Sequence, residues 1–289
     1  MRTVRRPWLR IFLTGLVLWV ASVVVTSWTL NPNLVPTVVL LGSFLVPVTF
    51  VAWAYGQGRS PTVTVERMFV AFVVGGVLGV LGASLLESWL VRPSIVMFLL
   101  VGLIEEAAKL AALMVVTRHA VKRSIRDGVV LGATVGFGFA AFESAGYAFN
   151  ALFTSHGLSL GQLVETEVLR GILTPVGHGL WTAIAGGALF AAGGRLTGPV
   201  LLAYLGVSVL HALWDSMSAI AIAITLVLTG RPWQFAQLRI GRVPDVTAWQ
   251  VHVYTVVTWS GFVVISLVAL AWLWGTLVRD RRRRQMSSQ

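Results

Sequence analysis

Residues 101–113 read V-G-L-I-E-E-A-A-K-L-A-A-L. They place Glu105, Glu106 and Lys109 inside an apolar run that reaches from about residue 95 to residue 117. That run is long enough for a bilayer, which takes about 20 apolar residues. A charge at the centre of a spanning helix costs roughly 2.5–3.5 kcal/mol on the insertion scale. The three charged side chains must therefore face a protein interior or a wet cavity, and one another. Lys109 lies four residues from Glu105 and three from Glu106, and both spacings bring side chains together on a helix.

The rest of the composition agrees. The chain has 289 residues, 56% hydrophobic and 11% charged, against roughly 25% charged in soluble domains. This is an all-α, polytopic integral membrane protein. A net charge of +11 would suggest nucleic acid in a soluble chain; here it is read as arginine flanking membrane spans, with no nucleic-acid partner. Cysteine is absent, which excludes disulfides, thiolate nucleophiles and thiolate metal sites.

Eight spans are expected, at about residues 11–29, 34–55, 68–86, 95–117, 128–150, 171–192, 199–228 and 251–278. Arg2, Arg5, Arg6 and Arg10 precede the first, which is too long for a signal-peptide core and is read as uncleaved. Glycines at spacing four in the third span, Gly75 and Gly79, suit close helix contact in lipid. Residues 154–170 are polar and are expected at or outside the interface. Sixteen of the 22 basic residues, among them Arg59 and Lys122, fall on the side of both termini. Five fall on the other side, and Lys109 lies within a span. Both termini are thus expected in the cytoplasm. The chain is expected to be one integral domain: three accessory spans in 1–91, a four-span catalytic core in 92–228, and an outer loop, last span and basic tail in 229–289.

On this map the ionisable residues at bilayer depth are Glu105, Glu106, Lys109, Glu143, His178, His211 and Asp215, on spans four to seven. At ~1.5 Å of rise per residue, Glu105 lies roughly 15 Å and Glu143 and His178 roughly 10 Å from the outer boundary. His211 lies roughly 18 Å from the inner one. Each group has a structural reading, as a buried ion pair, a neutral hydrogen-bonded acid or a helix-contact histidine. Four costly sites at one level argue for function instead. His211 and Asp215, four apart, suit a carboxylate orienting an imidazole. Peptide hydrolysis needs water, a base and an oxyanion donor, which such a cluster can supply. Two imidazoles and a carboxylate can also hold zinc with an open position. The H-E-x-x-H helix of common zinc proteases is missing.

E-E-A-A-K (Glu105 to Lys109), F-A-A-F-E (Phe139 to Glu143), the isolated His178 and H-A-L-W-D (His211 to Asp215) together resemble the PrsW family of intramembrane proteases. That family is related to the CAAX-processing and bacteriocin-processing membrane proteases. The resemblance covers about residues 92–228. It implies a multi-spanning metallopeptidase that cuts single-span proteins, such as anti-sigma factors, near the outer face in regulated proteolysis; the excess of arginine over lysine suggests a bacterial genome, so a bacterial plasma membrane is the expected location. Carried over by motif, Glu105, Glu106, Glu143, His178 and His211 form the catalytic centre, with Lys109 and Asp215 in support. Water is expected to be activated by Glu105 or Glu106, with or without a metal; if a metal takes part, Glu143, His178 and His211 are the expected ligands and zinc the expected ion. CAAX proteases have arginine, histidine and asparagine where this chain has Lys109, Glu143 and Asp215, which favours PrsW.

Two other readings compete. A proton- or ion-coupled transporter can use the same Glu/His relay, but such proteins are often marked by broken helices and repeats, which the sequence does not reveal. A non-catalytic scaffold would have no need of the intact motif set.

Overall fold

The computed structural model describes residues 6–56, 60–94, 96–120 and 123–286. Arg2, Arg5, Arg59, Ile95 and Lys122, used above for topology and span limits, lie outside the described residues. The chain is a helical membrane bundle with one two-residue-strand hairpin. In order come α1 (Pro7–Thr29), α2 (Val35–Gly56), α3 (Val65–Leu90), α4 (Met97–Thr117) and α5 (Ile125–Ala151). The hairpin of β1 (Phe153–Thr154) and β2 (Gly157–Leu158) leads into α6 (Leu160–Leu173). After a 3₁₀ turn (Thr174–Val176) follow α7 (His178–Ala191), α8 (Gly198–Asp215), α9 (Met217–Thr229), α10 (Pro232–Arg239) and α11 (Ala248–Met286).

Among the described residues, α1, α2 with the short turn before it, α3, α5, α8 and α11 are long and apolar enough to cross a membrane. α4 spans 21 residues and carries the three charges. α1 shows the environment most plainly: Val17, Val24 and Trp28 are exposed, the pattern of a helix whose solvent is lipid.

The expected sixth and seventh spans are each broken. Pro175 has no N–H to give a continuing helix, and the chain instead turns until the Gly177 carbonyl accepts from Leu180 and Trp181, which starts α7. The second break falls at Ser216, between α8 and α9. The broken helices that the sequence did not reveal are therefore present. The polar stretch 154–170 forms the hairpin and α6, and α6 is part of the bundle. Ser159 caps α6, which packs against α2 and α5 and sends polar side chains inward.

α5 lies at the centre, against α2, α3, α6 and α7. Its seam with α7 depends on glycine. A Cβ on Gly136 would sit 2.3 Å from the His178 carbonyl oxygen, and one on Gly132 would sit 2.3 Å from that of Thr182. The backbones touch, and the entry of α7 is seated directly on α5. Gly136→Ala should force the two apart and lower stability by about 1–3 kcal/mol, the usual cost of overpacking. A thermal unfolding curve of the detergent-solubilised protein checks this, and an unchanged midpoint would mean the seam yields freely.

Candidate active site

Glu105 and Glu143 each lie eight residues from one end of their helix, Met97 of α4 and Ala151 of α5, which is roughly 12 Å of rise. His178 opens α7, and His211 and Asp215 lie on the last turns of α8. All seven sequence-selected side chains meet there.

Lys109 is at the centre and has no exposed surface. Its Nζ donates to Glu105 Oε2 at 3.1 Å, to Glu106 Oε1 at 2.8 Å and to His178 Nδ1 at 2.8 Å. It also sits 4.0 Å from the centroid of the Phe139 ring. An ammonium has three donors and no acceptor, so Nδ1 of His178 must carry the lone pair. Its Nε2–H then donates to Glu143 Oε2 at 3.0 Å. His211 bridges the other side. Its Nδ1 is 3.0 Å from Glu106 Oε1, and its Nε2 is 3.3 Å from Asp215 Oδ2 and 3.6 Å from Glu105 Oε2.

Aromatic rings hold the imidazoles. Trp181 stacks on His211 with centroids 4.8 Å apart and meets His178 edge-on at 5.4 Å. Trp181 thus packs against both imidazoles, which also meet each other edge-on with centroids 5.0 Å apart. On α4, Gly102 lets α8 approach, since a Cβ there would lie 2.6 Å from the Ser208 carbonyl oxygen and 3.4 Å from His211 Cβ.

Arg170 and Glu87 are additions that sequence reasoning missed. Arg170 reaches from α6 to Glu143 Oε2 at 2.5 Å and to Ser144 Oγ at 2.7 Å. It is one of the five basic residues assigned above to the side opposite the termini. Glu87 had fallen outside a third span expected to end at residue 86, but α3 continues to Leu90. Its side chain lines a cavity of about 420 Å³ together with Glu105, Phe139, Glu143, Tyr147 and Asp215. Glu106 does not line that cavity and is 2% exposed, held between Lys109 and His211.

Among the described residues, Glu105, His178 and His211 offer ligand atoms that all lie within 4.8 Å of one another. Two imidazoles and one carboxylate are the donors of many catalytic zinc sites, so the set fits a divalent ion. This set differs from the expected Glu143, His178 and His211, because Glu143 is drawn to Arg170 and to the far nitrogen of His178. The lone pair on His178 Nδ1 that an ion would use is the one Lys109 takes here.

Removing Lys109 leaves two buried carboxylates facing each other. Lys109→Met should lower stability by about 3–5 kcal/mol, as breaking a buried ion pair does. Adding Glu105→Gln and Glu106→Gln should restore much of it. Equilibrium unfolding of the single and triple variants compares the two, and equal stability of the single variant and the parent would contradict the role given to the ammonium.

No curated protein and no solved structure shows a significant match to this chain. A family model does match, over residues 6–238, which extends well beyond the 92–228 on which the motif resemblance rested. It favours proteolysis over transport for the buried Glu/His cluster. With most of its length matched and its motif residues gathered in one place within a helical membrane bundle, the chain belongs to the PrsW family of intramembrane metalloproteases and is a membrane-embedded protease.

Proposed function

We propose that the protein cleaves single-span membrane proteins within the outer half of the bilayer, with Glu105 as the carboxylate that meets the attacking water. The observation that carries this is the convergence of Glu105, His178 and His211 beside a 420 Å³ cavity that Glu105, and not Glu106, lines. Water in that cavity can reach Glu105, which takes a proton as general base and returns it to the leaving amine. Glu106 positions Lys109 and His211. Glu143 fixes the tautomer of His178 by accepting from Nε2, and Arg170 holds Glu143 in place. Asp215 orients His211 and lines the cavity where an oxyanion would form.

Glu105, His178 and His211 are the residues that would hold a metal, with zinc the best match to their donor types; in a metal-bound centre Glu105 would serve as a ligand, and activation of the water would pass from it to the ion. When bound, such an ion acidifies water and polarises the scissile carbonyl. Anti-sigma-factor-like proteins of a bacterial plasma membrane fit as substrates. The support is the cavity's place near the α3–α4 turn, opposite the arginine-rich ends of the bundle. Regulated proteolysis is the corresponding process.

Glu105→Gln should lower cleavage of a tethered single-span substrate by about 10²–10⁴-fold, the range for loss of a general base, with an unchanged helical spectrum. Glu106→Gln should act through Lys109 and also lower the unfolding midpoint. Full activity of Glu105→Gln in proteoliposomes would refute the assignment. Metal analysis of the purified protein should find one ion per chain, lost in His178→Ala. Full cleavage after exhaustive chelation would remove the metal from the scheme.

A further inference from the structure

A second and larger cavity, about 790 Å³, has no part in this chemistry. It lies between α2, α5, α7 and α11, and α7 faces it with Gly179, Leu180 and Ala183 rather than with His178 or Trp181. Arg126, Asp280 and Arg281 form one end. From there its walls are aliphatic and aromatic, up to Phe137 on α5 and Leu270 on α11.

The length of the groove is informative. Arg126 to Phe137 and Leu270 to Arg281 are each eleven residues of helix, roughly 16 Å of rise. The hydrocarbon core is about 30 Å thick, so the groove covers one leaflet. A spanning substrate helix would need nearly twice that length. One acyl chain needs about this much, with its headgroup at the charged end. That end is cationic in balance: Arg126 and Arg281 line it with Asp280, and Arg279 and Arg282 flank them on α11. Basic pockets between helices at the membrane surface are suited to anionic headgroups.

We propose that this groove binds one anionic glycerophospholipid from the arginine-rich side of the membrane, its acyl chain along α5 and α11 and its phosphate at Arg126 and Arg281. The chain packs against Gly179 and Leu180, next to His178, and so braces the entry of α7 from the side away from the cavity that Glu105 lines. The arginine-rich end of α11 then reads lipid as well as setting topology.

The test uses the full chain in neutral detergent, with retained lipid counted by native mass spectrometry after adding phosphatidylglycerol or phosphatidylcholine. One phosphatidylglycerol should be retained, at least about tenfold more tightly than phosphatidylcholine, as two arginines near a phosphate would give. Arg281→Glu, at an exposed position, should cut that preference to under about twofold without unfolding the protein. Ala133→Phe, which fills the groove from α5, should abolish retention of both lipids. If Ala133→Phe does not fold, the exposed Arg281→Glu decides alone. Equal retention of the two lipids by the parent, or an undiminished preference in Arg281→Glu, would overturn the proposal. So would a photo-crosslinker at Leu273 that captures a substrate helix in place of lipid. None of these readouts needs cleavage, so the protease reading can fail while this one stands, and the reverse.

Discussion

A lysine ammonium with no exposed surface sets the terms for the centre of this protein. Every N–H of Lys109 has an acceptor, two on α4 and one on α7. Through Glu106 the network continues to His211 on α8, and through His178 to Glu143 on α5. In surroundings where attraction between charges is weakly screened, a misplaced acceptor is expensive. The register of four helices is therefore tied to one cation. The same ammonium occupies the lone pair of His178 that a metal would need, so the cluster can satisfy itself internally, at the cost of competing with any ion that enters.

Polar contacts alone would not bring the helices this close. Where Gly136 meets His178 and Gly102 meets Ser208, the missing side chains let backbones touch. The imidazoles thus arrive from two helices whose axes are drawn inward, one against α5 and one against α4. Trp181 packs against both rings where they meet edge to face, and limits how far either can turn.

The parts of this arrangement legible in the sequence were those that carry a large penalty in lipid. Glu105, Glu106, Lys109, Glu143, His178, His211 and Asp215 stand out because each is costly in an apolar run, and all seven converge. Less visible were features set by position instead of cost. Glu87 sits one residue beyond where the third span was expected to end. Arg170 belongs to a 14-residue amphipathic helix whose composition suggests an interface, while its packing against α2 and α5 puts it beside Glu143. Glu105 shares a triangle with the histidines while Glu143 pairs with that arginine, a difference that spacing along the chain could not reveal. The break at Gly177 is marked in the sequence by Pro175 and Gly177, but the stretch on either side is apolar enough to read as one span.

α6 also carries a buried acid. Glu167, 4% exposed, accepts from the Trp19 indole of α1 at 2.8 Å and from the Ser43 hydroxyl of α2 at 3.5 Å. It is pressed against Gly42, where any Cβ would collide with its carboxylate. One helical turn along, Arg170 grips Glu143. The opening helices are thereby anchored to the reactive cluster by a short lever with a polar grip at either end. A chain trimmed of α1 and α2 would leave the Glu167 carboxylate stranded without those donors, and the slack would be felt at Glu143.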